Sequence, residues 1–143
     1  MRVGLAVARF YDELAERLEQ GAREALAGGG AEVVEVVEVP GAYELPMAAK
    51  LLVGSGRVDA VVCLGAVIRG ETDHYDWVCG ACADGIQQVQ LTTGVPCSFG
   101  VLTVDTYEQA LARSDAGSKR DSGRHAADAV LALLGAQQRL ASS

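Results

Sequence analysis

VDAVVCLG, residues 58–65, is apolar at nearly every position. Such a run suits a strand buried on both faces of a parallel sheet. Two other stretches read the same way: Val3 to Ala8 upstream, and CSFGVLTV, residues 97–104, downstream. EVVEVVEV, residues 32–39, has an ambiguous spacing. Its stiff β-branched valines favour a strand.

Helical patterns fill the gaps. After Asp12, apolar residues recur at Leu14, Leu18, Ala22, Ala25 and Leu26, the three-and-four spacing of one helix face. Gly28, Gly29 and Gly30 stop it. Residues 44–53 read as a helix with Pro46 in its first turn. A longer helix is expected over roughly 72–92, with Val78, Cys82, Ile86 and Val89 on one stripe. A short helix at about 107–113, a polar loop over 114–122 and a last helix from about 123 to 140 complete the chain. Strands alternating with helices imply an α/β, three-layer αβα sandwich around a four-stranded parallel sheet. Right-handed crossovers would place helices on both faces. Residues 1–143 read as one domain, with no linker or low-complexity block.

The charge balance is −7, from 12 basic and 19 acidic residues, which argues against a general nucleic-acid binder. A single local arginine could still make a pocket fit for a small anion. No run approaches the ~20 apolar residues of a membrane span. The first residues are followed at once by Asp12, Glu13 and Glu16, unlike a signal peptide. Cys63, Cys79, Cys82 and Cys97 read as reduced thiols in a cytoplasmic protein, because a core of this size needs no disulfide staples.

In parallel sheets ligands bind beyond the carboxyl ends of the strands. Four segments are candidates: Arg9 to Tyr11; PGAYELP, residues 40–46; GAVIRGETDHYD, residues 65–76; and, within and after the fourth strand, SFGVLTVDT, residues 98–106. They hold the aromatics Phe10, Tyr43 and Phe99, glycine-rich turns, Glu44 and a histidine. That set could line a site for a flat heterocycle with a polar tail; each aromatic taken singly reads rather as a core or helix-cap contact, and only the set together makes the site an even alternative. Gly65 and Gly70 have the spacing of half a phosphate loop, but Glu71 and Thr72 stand where Lys and Ser/Thr would be required. A nucleoside-triphosphate site is disfavoured. A phosphate could still sit on the free N–H groups of the following helix, with Arg113 or Arg69 answering its charge. His74, in the first turn of that helix, could move protons near neutral pH, though a solvated surface histidine is the bland alternative. His125 reads as a surface residue. Cys79 and Cys82 lack the second ligand pair that zinc needs, and Tyr75 and Trp77 read as core or subunit packing.

Three segments in order carry a resemblance over essentially the whole chain: VPGAYELP (39–46), DAVVCLGAVIRGETDHYDWVC (59–79) and TTGVPCSFGVLTVDTYEQALAR (92–113). Together they resemble the lumazine synthase family of riboflavin biosynthesis. The resemblance implies a flavodoxin-like homo-oligomer without metal or organic cofactor. It implies condensation of 5-amino-6-(D-ribitylamino)uracil with 3,4-dihydroxy-2-butanone 4-phosphate to 6,7-dimethyl-8-ribityllumazine. It further implies that Phe10 stacks on the pyrimidine and that Ala42, Tyr43 and Glu44 meet the same substrate. Ala66, Val67 and Ile68 would bind the uracil through backbone, and Phe99 would close the pocket. Glu71 and Thr72 would form the phosphate turn, Arg113 would pair with the phosphate, and His74 would transfer protons.

The family resemblance also implies a homopentamer, in some members built into a sixty-subunit shell, with sites between neighbours. Riboflavin synthase is a candidate partner; nucleic acid and membrane are not. The pattern departs at Asp121-Ser122-Gly123, where the family usually has a lysine before the glycine; Lys119 and Arg120 lie just upstream. Two other readings stay open at the level of sequence: a catalytically impaired paralogue that binds flavin or lumazine or serves assembly, and an activity on the same fold that dismutates two lumazines.

Overall fold

The computed structural model describes residues 1–70 and 74–142. The chain runs β1 (Arg2–Ala8), α1 (Asp12–Gly28), β2 (Glu32–Val39), a 3-10 turn (Ala42–Glu44), α2 (Leu45–Gly54) and β3 (Ala60–Ile68). It continues through α3 (Tyr75–Thr93), β4 (Cys97–Val104), α4 (Tyr107–Ala112) and α5 (Ser122–Ala141). The four strands form one parallel sheet in the order β2-β1-β3-β4.

The period-2 alternation of strands sorts their side chains onto two cores. Val3, Leu5 and Val7 of β1, with Ala60, Val62 and Leu64 of β3, pack against α1 and α5. Ala6 and Ala8, with Val61, Cys63 and Val67, pack against α2 and α3. Helices therefore cover both faces, and this is why β1 from Val3 onward and the whole of β3 are apolar. Each large side chain buried this way contributes roughly 1.5–3 kcal/mol.

The α1–α5 contact is close because it has glycine on both sides. A Cβ on Gly123 would run into the Leu18 carbonyl oxygen, and one on Gly21 would run into the Asp121 carboxylate. Asp121 is buried and caps α5, accepting from the Arg124 N–H at 3.0 Å and from the Gly117 N–H at 2.8 Å. Arg9, just past β1, gathers carboxylates from two elements: Glu38 of β2, and Glu16 (2.8 Å) and Glu19 (2.9 Å) of α1.

Several boundaries differ from the sequence reading. β3 continues to Ile68, because β4 pairs with it along its whole length, up to Ile68 opposite Val104. Gly65 is therefore inside the strand, where a Cβ would lie 3.0 Å from that of Ala8. The helix expected over 44–53 is α2, Leu45–Gly54, with Pro46 in its first turn, and the sequence did not show the 3-10 turn, Ala42–Glu44, that precedes it. The helix expected from 72 begins at Tyr75, and residues 71–73 lie outside the described residues. It ends at Gly94, whose φ of +74° is the left-handed conformation of a helix stop. Trp77 is 78% exposed and is not a core residue of this chain. Among the described residues no helix is long and apolar enough to cross a membrane.

Candidate functional site

A pocket of about 150 Å³ opens at the carboxyl ends of the strands, where a parallel sheet is expected to bind ligands. Phe10 and Tyr11 reach it from the end of β1, and Gly41, Ala42 and Tyr43 from the turn after β2. Ala66, Val67 and Ile68 form its floor from β3, and Val78 of α3 closes one side. The wall is largely apolar, yet Phe10 is 68% and Tyr43 63% exposed. Phe10 meets the Tyr11 ring edge-on, with centroids 4.8 Å apart.

The register explains the floor. β1 pairs with β3 only as far as Val7 opposite Leu64, whereas β4 follows β3 to Ile68. β3 thus overhangs β1 along Gly65–Ile68. On that side no residue of β1 takes up the main-chain donors and acceptors of these residues. Strand alternation turns the groups of Gly65 and Val67 to β4, so it is Ala66 and Ile68 that present a peptide edge there, suited to a planar ring with its own N–H and C=O groups.

Glu44 stands at the rim. Its Oε1 accepts from the Gly41 N–H at 2.9 Å, and the Glu44 N–H donates to the Gly41 carbonyl at 3.2 Å. The carboxylate therefore fixes the turn that presents Ala42 and Tyr43. His74 is exposed and immediately precedes Tyr75, where α3 starts, rather than lying in its first turn; its carbonyl accepts from the Val78 N–H at 2.9 Å. Glu71 and Thr72, expected at the phosphate turn, lie outside the described residues.

Arg69 has other commitments. Its Nε donates to Asp105 at 2.9 Å, and the guanidinium lies over the Tyr75 ring. These carboxylate contacts hold its pKa above the ordinary value, with the Asp105 hydrogen bond foremost.

Two expected residues sit elsewhere in the single chain. Phe99 is level with Cys63, in mid-sheet rather than at the strand end. It lines a separate groove between β4 and α5 with Ser98, Ser122 and His125. Arg113 is the exposed residue that ends α4, and its carbonyl accepts from the Ser122 N–H at 3.0 Å. One chain thus brings together Phe10, Ala42, Tyr43, Ala66, Val67 and Ile68, but not Phe99 or Arg113. Tyr11 and Gly41 lie in the strand-end segments but are not among the site residues the sequence points to, and Val78 lies outside those segments. Adjacency to Phe10 and Ala42 points to Tyr11 and Gly41, whereas Val78 reads from the sequence only as part of a core stripe.

Among the described residues no group of three or more histidine, cysteine or acidic side chains is placed to hold a metal. Cys63, Cys82 and Cys97 are buried, and burial pushes their thiols up, Cys82 to about 12 and Cys97 to about 11. Cys79 is half-buried and also raised, again chiefly by desolvation. None of these is an activated nucleophile.

The profile of the 6,7-dimethyl-8-ribityllumazine synthase family matches residues 1–138. The chain belongs to the 6,7-dimethyl-8-ribityllumazine synthase family. It is similar to the protein of that name from Kineococcus radiotolerans, with 52% identity over 94% of this chain and 81% of the relative. The synthase of Desulfatibacillum aliphaticivorans is 51% identical over 82% of this chain and 76% of its own length. That of Syntrophus aciditrophicus is 48% identical over 94% and 86%. The flavodoxin-like expectation for a lumazine synthase agrees with the four-stranded parallel sheet and its two helical layers. No observation favours the catalytically impaired paralogue.

Proposed function

We propose that the strand-end pocket is where this transferase of riboflavin biosynthesis binds 5-amino-6-(D-ribitylamino)uracil for condensation with 3,4-dihydroxy-2-butanone 4-phosphate. The amine forms an imine with the ketone and water leaves. Phosphate is then eliminated, and ring closure with loss of a second water gives 6,7-dimethyl-8-ribityllumazine.

The overhang of β3 beyond β1 is the observation that carries this placement. The β3 edge over Ala66, Val67 and Ile68 would read the uracil, through the main chain of Ala66 and Ile68; Phe10 would stack on the ring, and Ala42 and Tyr43 would flank it. Glu44 would meet the ribityl hydroxyls with the part of its carboxylate not engaged by Gly41. Glu71 and Thr72 would hold the phosphate turn. His74 would shuttle protons during imine formation and elimination. Holding both reactants in line can supply roughly 7–11 kcal/mol of the barrier.

The family works as oligomers on small molecules. For this chain we propose a homopentamer in which a neighbour supplies Phe99 and Arg113. The pocket of one chain supports that reading: at about 150 Å³ it walls only part of a substrate. Ligand sites usually span roughly 300–1,000 Å³. Arg113 would bind the phosphate as a bidentate fork and so offset the acidic surface. A cytoplasmic setting fits both the substrates and the reduced thiols.

The test mixes the purified protein with both substrates and follows lumazine absorbance and phosphate release against the spontaneous reaction. Both should appear in step and faster than without protein. No acceleration by folded, oligomeric protein would overturn the proposal, and His74→Ala then isolates the proton-transfer role.

A further inference from the structure

Arg17 lies on α1, away from the strand-end pocket, and the reaction as described makes no use of it. Its hydrogen bonds nevertheless reach the segment around Arg113. Nε donates to Ser114 Oγ at 3.1 Å, and one terminal nitrogen donates to the Leu111 carbonyl at 3.0 Å. These two acceptors flank Arg113 on either side in the chain. Ser114 is fully buried, and its hydroxyl passes the bond on to the Ala110 carbonyl at 2.8 Å.

The far end of the loop is held by the same helix. Ser114 pairs with Asp121 in an isolated bridge, so the loop leaves and returns at one point. The Asp121 carboxylate lies where a side chain at Gly21 would be. Arg17 and Gly21 are one helical turn apart, so one face of α1 grips both ends of the excursion. The backbone on either side of Arg113 is therefore fixed, while its side chain remains exposed.

We infer that Arg17 is a positioning residue for the phosphate substrate, acting through Ser114 and the Leu111 carbonyl to aim Arg113 into the neighbouring pocket. This rests on the assignment of Arg113 to the phosphate. An arginine suits the task because its planar fork can hold a hydroxyl and a carbonyl at once, which a lysine cannot do with the same rigidity.

The test compares Arg17→Met, Arg17→Lys and Arg113→Gln with the unaltered protein. The readouts are KM for each substrate, kcat, competitive inhibition by inorganic phosphate, and thermal unfolding. Methionine keeps the apolar stem and removes the donors. Arg17→Met is expected to raise KM for the phosphate substrate, and weaken inhibition by phosphate, by roughly tenfold. KM for the pyrimidine should stay unchanged, and Arg17→Lys should recover part of the loss. Ser114→Ala, which removes the acceptor from the loop side, should show the same selective pattern and stands in if Arg17→Met does not fold. Equal losses for both substrates, or a loss of stability alone, would overturn the positioning role. If Arg113→Gln leaves phosphate inhibition unchanged, the phosphate assignment fails and the inference falls with it. If Arg113→Gln acts and Arg17→Met does not, only the inference falls.

Discussion

The guanidinium of Arg69 lies over the Tyr75 ring, 4.3 Å from its centroid, while its Nε holds Asp105 at 2.9 Å. One side chain thus ties the end of β3, the segment after β4 and the first residue of α3. His74 is the residue just before that tie. Arg69→Ala should release the start of α3 and lower kcat by a factor on the order of ten. Because the pair is exposed, the unfolding midpoint should barely move. Steady-state kinetics beside a thermal melt checks both halves of the expectation.

Phe10 offers a cleaner separation of binding from stability. Its ring is largely exposed in the single chain, so Phe10→Ala removes little buried area. Stacking of a base on an aromatic ring contributes about 1–3 kcal/mol. KM for the pyrimidine should therefore rise by roughly one to two orders of magnitude. KM for the phosphate substrate should not follow, and equal rises for both would count against the stacking role.

Two glycines of α5 should respond to alanine with opposite signs. At Gly123 the new Cβ meets the Leu18 carbonyl, which is backbone and cannot swing away. That substitution should cost about 1–3 kcal/mol or more. At Gly135 nothing lies within 4 Å. There alanine should stabilise by up to ~1 kcal/mol through helix propensity. Denaturant unfolding of the two variants measures the contrast.

The buried thiols set an alkaline limit. Cys82 and Cys97 hold their protons to about 12 and about 11, against an ordinary value of 9.0. Above that ordinary value the unfolded chain releases protons that the folded chain keeps. Stability contributed by these neutral thiols is whole below pH 9 and declines as pH rises toward 11–12. The slope is roughly 1.4 kcal/mol per pH unit for each thiol. Cys82→Ala and Cys97→Ala should flatten the pH dependence of unfolding between pH 9 and 11. An unchanged slope would show that other groups set it.

The sheet was legible because buried parallel strands leave a strong signal in runs such as 60–64. The end of β3 was not. Gly65 reads as the end of the strand and the start of a loop, yet it lies inside the strand and is kept small by the nearby Ala8 side chain, a tertiary reason invisible along the chain. Pocket residues at strand ends were recoverable because topology fixes where strands finish. Phe99 could not be placed from strand order alone, since register with β3 puts it in mid-sheet. Arg17 gave no signal at all. Its partners lie 94 and 97 residues away, and an arginine on a helix looks like any solvated surface charge.

The sheet order has a consequence for how the protein is made. β1, the earliest of the four strands in the chain, ends up flanked by β2 and β3, so it must wait for both. β4 joins last and from the outside, carrying Phe99 and leading on to Arg113. Domains form from the N-terminal side as synthesis proceeds. A nascent chain that has emerged only through α3 already possesses three strands and the floor of its pocket. What it lacks is the part it would lend to a neighbour. With the proposed neighbour contribution, a subunit would become useful to others only once β4 and α4 have joined it, so assembly would wait on the last strand.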